Sequence, residues 1–253
     1  MPHQFSLSLA ALDVLLEHMK LGRAPAPFEV PYIGTSSTQR AQVRGAVFRE
    51  LESRGLAGRG RLDPDLELAL HTFTKAPVAI TAVAQLEEGK QLFARAVSNG
   101  QYAVVAKQDQ NSVIFTDARP TAIVPGIVDL LPLTPAAAGQ SVTVSKPAKR
   151  AKHRLDDDNS YDPFANVSKP RSTAPAQLRM VERIFQKPKL RIGQFSAVVQ
   201  AHRLTPTAWF DTEEGRYFVT SRDAEDGQSW VTYAPADNAR IAHHLFEQLQ
   251  PYQ

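Results

Sequence analysis

The segment AWFDTEEGRYFVT sets Asp211, Glu213, Glu214 and Arg216 between two strand-like runs. Paired carboxylates of this kind carry glycoside hydrolysis when they face each other at defined separations across a sugar site. Consecutive acids on a turn do not supply that geometry. The same residues have a structural use: Asp211 as an Asx-turn acceptor, Gly215 as a position of positive φ, and Arg216 as the partner of Glu213 or Asp211. On this reading the charges define and solvate a turn. A serine-hydrolase grouping of Ser196 or Ser229 with His202 and Asp211 can be written down, but no nucleophile elbow surrounds either serine. The 7 histidines show no metal-ligand spacing. His243 and His244 are neighbours on a helical stretch and diverge by about 100°, and His202 has no HxH or HExxH around it. RGRLD lacks the glycines, lysine and hydroxyl of a phosphate loop. No metal, cofactor or enzymatic activity is expected.

Composition narrows the classes further. Lys and Arg total 29 against 26 Asp and Glu, a formal net charge of +3 over 253 residues, which weighs against a nucleic-acid binder with its concentrated basic face. With no cysteine the chain has no disulfide, thiol nucleophile or thiolate metal site. No window approaches the ~18 apolar residues of a membrane span, and Asp13 and Glu17 interrupt the opening MPHQFSLSLAALDVLLEHMK where a signal peptide needs an apolar core. A soluble cytoplasmic chain without membrane insertion is expected.

These residues must be positioned by a recognisable order of elements. Leu9, Leu12, Leu15, Leu16 and Met19 recur at helical spacing, with Ser6 or Ser8 as cap and Gly22 as terminator. SSTQRAQVRGAVFRELESRGL predicts a second helix on Val43, Val47 and Leu51, closed by Gly55. LDPDLELALHTF predicts a third, with Asp63 as cap and Pro64 in its first turn. The period then falls to two: PVAITAVAQLEEG, KQLFARAVSNG, QYAVVAKQD and NSVIFTD read as an antiparallel meander, followed by a short helix near Pro125. After an aperiodic stretch, APAQLRMVERIFQK reads as a helix, LRIGQFSAVVQAHR, TAWFDT, GRYFVTSR and QSWVTYA as four strands, and PADNARIAHHLFEQLQ as a final helix.

The aperiodic stretch, 134–174, mixes prolines, the cations Lys146, Lys149, Arg150, Lys152 and Arg154, and Asp156 to Asp158. It is too long for a structureless loop inside a compact domain, so most of it is expected to be a mobile charged linker, with short order at Val142 to Val144 or Tyr161 to Phe164 left open. Three segments result: 1–133 with helices and strands, the linker 134–174, and 175–253 with helix, strands and final helix. The basic cluster motivates an alternative reading as a nucleic-acid-binding or regulatory protein.

The order IGQF, WFDTEEGRYF, Trp230 and APAD, preceded by LDVLLEHMKLG, PFEV and AVFRELESRGLAGRGRLDPDLELALHTFTKAPVAI, resembles the EspG family of type VII (ESX) secretion-associated chaperones of actinobacteria. The resemblance covers the chain outside 134–174. It implies an α+β fold: a quasi-two-fold pair of subdomains sharing a central antiparallel β-sheet flanked by helical bundles. It also implies a cytosolic, non-enzymatic chaperone that binds a helical PE-PPE-like pair and keeps it soluble before export, with monomer and homodimer both open and no nucleic acid expected. By the same resemblance, partner binding points to Gln85, Leu86, Glu87, Glu88, Phe93, Arg95, Val97, Asn99, Tyr102, Phe195 and Val199. Gly193, Trp209, Asp211, Gly215, Arg216, Trp230, Pro235 and Asp237 form the family's structural signature, with Asp237 capping the last helix and Trp230 filling the gap beneath it.

Overall fold

A computed structural model of the chain describes residues 4–87, 89–147, 175–223 and 228–252. Its helices are α1 (Leu9–His18), α2 (Ser37–Ser53), α3 (Pro64–Lys75), α4 (Ile123–Val128), α5 (Pro175–Gln186) and α6 (Asn238–Leu249). The strands are β1 (Gln4–Ser8), β2 (Ala57–Gly58), β3 (Arg61–Leu62), β4 (Val78–Glu87), β5 (Lys90–Ser98), β6 (Ala103–Asp109), β7 (Ser112–Ala118), β8 (Val142–Pro147), β9 (Arg191–Val199), β10 (His202–Arg203), β11 (Thr207–Thr212), β12 (Gly215–Asp223) and β13 (Gln228–Pro235). All but β2 and β3 join one sheet, ordered β1-β7-β6-β5-β4-β9-β11-β12-β13-β8 with β10 beside β9. This is a mixed α+β fold with a large antiparallel sheet. The chain divides into two compact units, one of 1–82, 92–130 and 198–202, the other of the remaining described residues.

In the first unit, local chemistry sets the helix ends. Ser8 Oγ accepts from Ala11 N at 3.1 Å, and Asp63 Oδ1 accepts from Asp65 N and Leu66 N at 2.9 and 3.3 Å, satisfying donors that the first turn leaves open. Gly55, at φ +71°, closes α2: Leu56 N–H reaches Leu51 C=O at 2.9 Å and Gly55 N–H reaches Glu52 C=O at 3.1 Å, a Schellman ending. Leu12, Leu15 and Leu16 of α1 and Leu66, Leu70 and Phe73 of α3 bury against Val104, Ala106, Val113 and Phe115 of the sheet. Phe115 joins the layers, stacked on Phe5 at 5.0 Å and edge-on to Phe73 at 5.2 Å.

Helix α2 is polar and buries few residues, one of them Arg40. Its guanidinium donates to Glu17 Oε2 at 2.7 Å and Ile33 C=O at 2.9 Å, and it is ion-paired with Asp13. It also lies 4.4 Å from the centre of the Tyr32 ring. The hydrogen bond from Arg40 holds the Glu17 carboxyl below its ordinary pKa. An ion-pair cluster, in addition to the Val47 and Leu51 contacts, thus fastens α2 to α1.

In the second unit, α5 lays Val181, Ile184 and Phe185 on Phe210, Tyr217, Val219, Val231 and Tyr233. On the opposite face, His244 of α6 meets Phe218 edge-on at 5.5 Å and Arg240 lies 5.7 Å from the same ring. Asp237 caps α6, accepting from Arg240 N at 2.8 Å.

Three sequence expectations are corrected. The residues before α1 form strand β1, registered on β7 from Gln4↔Thr116 to Ser8↔Ser112. The first part of the expected linker, 134–147, is ordered, and the order left open at Val142 to Val144 forms as part of β8. Arg216 N–H reaches Pro135 C=O at 2.8 Å, Ala137 N–H reaches Arg216 C=O at 3.1 Å, and β8 pairs with β13 from Val142↔Tyr233 to Pro147↔Gln228. The extent of this segment is not legible locally because its partners lie about 80 to 90 positions further on. Lys149, Arg150, Lys152, Arg154, Asp156 to Asp158 and Tyr161 to Phe164 lie outside the described residues.

The third correction concerns the turn at Asp211. Both Asp211 and Arg216 are fully buried; Arg216 Nε and Nη2 bond Asp211 Oδ1 and Oδ2 at 2.6 and 3.0 Å. The pair crosses the β11-β12 ladder, where Asp211 is directly opposite Arg216. No Asx turn forms, because the turn acceptor is Thr212 Oγ1, 3.3 Å from Glu214 N. Only Glu213 and Glu214 face water, and Glu214 pairs with Lys187.

Candidate partner-binding surface

Within the first unit, β5 carries the expected face. Its alternation puts Phe93, Arg95 and Val97 on one side, with Leu92, Ala94 and Ala96 buried on the other. Val97 is closed into the core, whereas Phe93 and Arg95 remain half-exposed. The Arg95 guanidinium meets only neutral oxygens: Nη1 donates to Thr81 Oγ1 at 3.2 Å and reaches Ala26 C=O at 3.5 Å. Its Nε is buried with no acceptor, and no carboxylate of the described residues pairs with it. Burial pulls its pKa below the ordinary arginine value.

The β5-β6 turn is held from within. Asn99 Oδ1 accepts from Gln101 N at 3.0 Å and Tyr102 N at 2.8 Å. Tyr102 packs on the core and donates its hydroxyl to Asp117; burial first, then Asp117, push its pKa up. Asn99 and Tyr102 therefore serve the turn, and of the two only Asn99 is exposed.

Of the remaining expected contacts, Gln85 to Glu87 and Phe195 lie in the second unit and Val199 in the first. Gln85 is half-exposed and donates to the C=O of Glu87, which is exposed; Leu86 is buried on the opposite face; Glu88 lies outside the described residues. Phe195 and Val199 were expected at the surface, and both are 1% exposed. The register corrects this: with Gly193, Phe195, Ala197 and Val199 inward, alternation turns Gln194, Ser196 and Val198 outward. Leu86, Val97, Phe195 and Val199 are thus packing residues.

Gly193 allows the close approach that seats this face. A Cβ there would lie 2.6 Å from Ala84 Cβ, 2.8 Å from Val83 C=O and 2.9 Å from Trp209 Cε2. Trp209, 1% exposed, in turn lies beneath Arg216, whose guanidinium carbon is 4.6 Å from the indole. Arg216 also reaches Asn238 Oδ1, Pro132 C=O at 3.0 Å and Thr134 Oγ1 at 3.2 Å. Gly215, at φ +122°, faces Pro135 C=O, 2.7 Å from where a Cβ would stand. Pro235 is buried and its C=O accepts from Arg240 Nη1 at 3.1 Å.

Trp230 departs from its expected role. It is 42% exposed, opposite Arg222 of β12 and Ser145 of β8, and does not fill a gap beneath α6. Val231 and Tyr233 take the inward positions of β13, so Trp230 must point the other way, as its spacing from them already indicated. Around it lies a polar sheet face, where Thr143 and Thr232 share a hydrogen bond of 3.0 Å.

The hydrolase grouping does not assemble. Asp211 accepts from Arg216, from Thr134 Oγ1 at 3.1 Å and from Arg191 Nη1 at 3.4 Å, so both carboxylate oxygens are engaged by other groups. Among the described residues no set of three or more His, Asp or Glu is placed to hold a metal ion, and no helix is long and apolar enough to cross a membrane.

The geometry defines a mixed α+β scaffold with a buried ion-pair core and half-exposed strand faces carrying aromatic and basic side chains. The sequence matches the EspG family over residues 8–247, and the chain belongs to that family. The solved structure of the Mycobacterium tuberculosis type VII secretion system chaperone EspG5, in complex with a PE25-PPE41 dimer, superposes with a TM-score of 0.66 at 12% identity, covering 99% of this chain and 97% of that one. At that identity the likeness is one of fold. No curated protein matches the sequence significantly.

Proposed function

We propose that this protein is a non-enzymatic cytosolic chaperone that binds a helical PE-PPE-like pair and holds it soluble before type VII export. The observation that carries the reading is the family match over 8–247. The fold likeness to EspG5 supports it, since that chaperone is solved with a PE25-PPE41 dimer. A helical secretion substrate with an apolar tip self-associates when the patch meets water, and a preformed surface that covers the patch prevents this without chemistry. Rim charges and loop shape then select among substrates. Phe93 and Arg95 supply an aromatic and a cation of the kinds enriched at protein interfaces.

The test is co-expression of the tagged full chain with each PE-PPE-like pair encoded beside type VII secretion genes in the same organism, followed by light scattering of what co-purifies. A stoichiometric complex of chain and pair is expected. Recovery of the chain alone in every co-expression overturns the reading.

A further inference from the structure

Among the described residues, Arg95 is the one half-buried arginine of the β4 to β9 strand faces whose contacts are all neutral. Arg40 and Arg216, the two buried arginines, are each matched by carboxylates. Arg95 has Thr81 Oγ1 at 3.2 Å, Ala26 C=O at 3.5 Å and a buried Nε without acceptor. A desolvated cation without a counter-charge works against folding, and a carboxylate arriving from outside the chain would relieve that cost. Phe93 stands two residues away on the same face, and the buried Val97 beyond it closes the inner end. The guanidinium is therefore held at the border between core and water with donors unspent. An incoming carboxylate would find a fork already oriented by Thr81 and Ala26, with less side-chain entropy to lose than at a free surface arginine.

We propose that Arg95 is the anchor for an aspartate or glutamate side chain presented by the helical protein partner. The inference rests on the chaperone reading above and names the chemistry by which that partner is held.

The test uses the full chain with Arg95→Met, which keeps the aliphatic stem, and Arg95→Lys, which keeps the charge without the fork. Thermal melting and calorimetric Kd for the co-purified helical pair are read together. Arg95→Met is expected to melt no lower than wild type yet bind about 30-fold or more weakly, the usual consequence of removing one member of a buried interfacial charge pair. Arg95→Lys should fall between, about tenfold weaker. Replacing the partner's acids one at a time by their amides should reveal one whose loss weakens wild type to the same extent and has no further effect on Arg95→Met. Binding of Arg95→Met within twofold of wild type, a lower melting point with unchanged binding, or the absence of any coupled partner acid overturns the proposal while leaving the chaperone reading intact.

If wild type captures no helical pair, that reading fails, and acetate judges the arginine by itself. In nitrogen-15 spectra, a saturable acetate-dependent shift of the Arg95 Nε–H signal, larger than that of the exposed Arg49, supports an unspent anion fork; an equal shift overturns it.

Discussion

Replacing Arg216 with methionine removes the donors at the centre of the second unit while keeping most of the side chain's volume. Arg216 and Asp211 are 0% and 1% exposed at their side chains, and two of the carboxylate's contacts, at 2.6 and 3.0 Å, come from this one guanidinium. What would remain to Asp211 is Thr134 Oγ1 at 3.1 Å and a long contact from Arg191 Nη1 at 3.4 Å. Pro132 C=O and Asn238 Oδ1 would lose a donor in the same step. Breaking a buried pair from one side costs about 3–5 kcal/mol, and at this chain length each kcal/mol moves Tm by about 2–4 °C. Arg216→Met should therefore melt roughly 6–20 °C below wild type. Adding Asp211→Leu removes the stranded charge, so the double variant should recover part of the loss, as apolar replacement of an entire buried pair does. Urea denaturation followed by far-ultraviolet circular dichroism, fitted for all the variants and the Asp211→Leu single, gives the coupling energy. A single-variant loss below about 1 kcal/mol, or a double variant no more stable than the sum of the singles, would refute the account of this pair as the mutually dependent centre of the unit.

Three further outcomes follow from the same geometry. Gly193→Ala forces a methyl to within 2.6 Å of Ala84 Cβ and 2.8 Å of a backbone oxygen, and should cost about 1–3 kcal/mol in denaturant titrations. Trp230→Ser, at a 42% exposed position, should cost about 1 kcal/mol or less, whereas Trp209→Ala should cost about 3–5 kcal/mol. Burial lowers the pKa of His244, while Glu247 partly opposes the shift; the folded state therefore favours the neutral ring. Its contribution is present above about pH 6.5, the unfolded value, and is lost as pH falls through the folded pKa. Melting curves of His244→Leu between pH 7 and 5 should fall less steeply with acid than those of wild type.

Much of the element order was legible because it is written locally. Asp63 before Pro64, Gly55 after α2 and Asp237 before α6 act within a turn of where they stand. The fall in period from near four to two is visible in any window of the β4 to β7 meander. The surface was less legible. Phe93 and Arg95 were read on an open face and are half-exposed there, while Leu86, Val97, Phe195 and Val199 were read beside them and are closed in. A period of two says that Phe195 and Ser196 face opposite ways; which way is outward depends on the helices and strands that pack on each side.

The sequence by itself determined the helices, the strands β4 to β7, β9 and β11 to β13, their order and the family to which the chain belongs, since caps, turns and alternation depend on residues a few positions apart. Tertiary structure decided that Arg216 meets Asp211 rather than Glu213 and that the pair is buried, that order at Val142 runs on to Pro147 as a strand on β13, that the side carrying Trp230 faces water, and that Arg95 has no counter-charge among the described residues. Each of these depends on which atoms arrive from distant parts of the chain: Pro132 and Thr134 at Arg216, β13 at β8, and Thr81 with Ala26 at Arg95. Burial and charge pairing are properties of that assembled neighbourhood, and no local pattern encodes it.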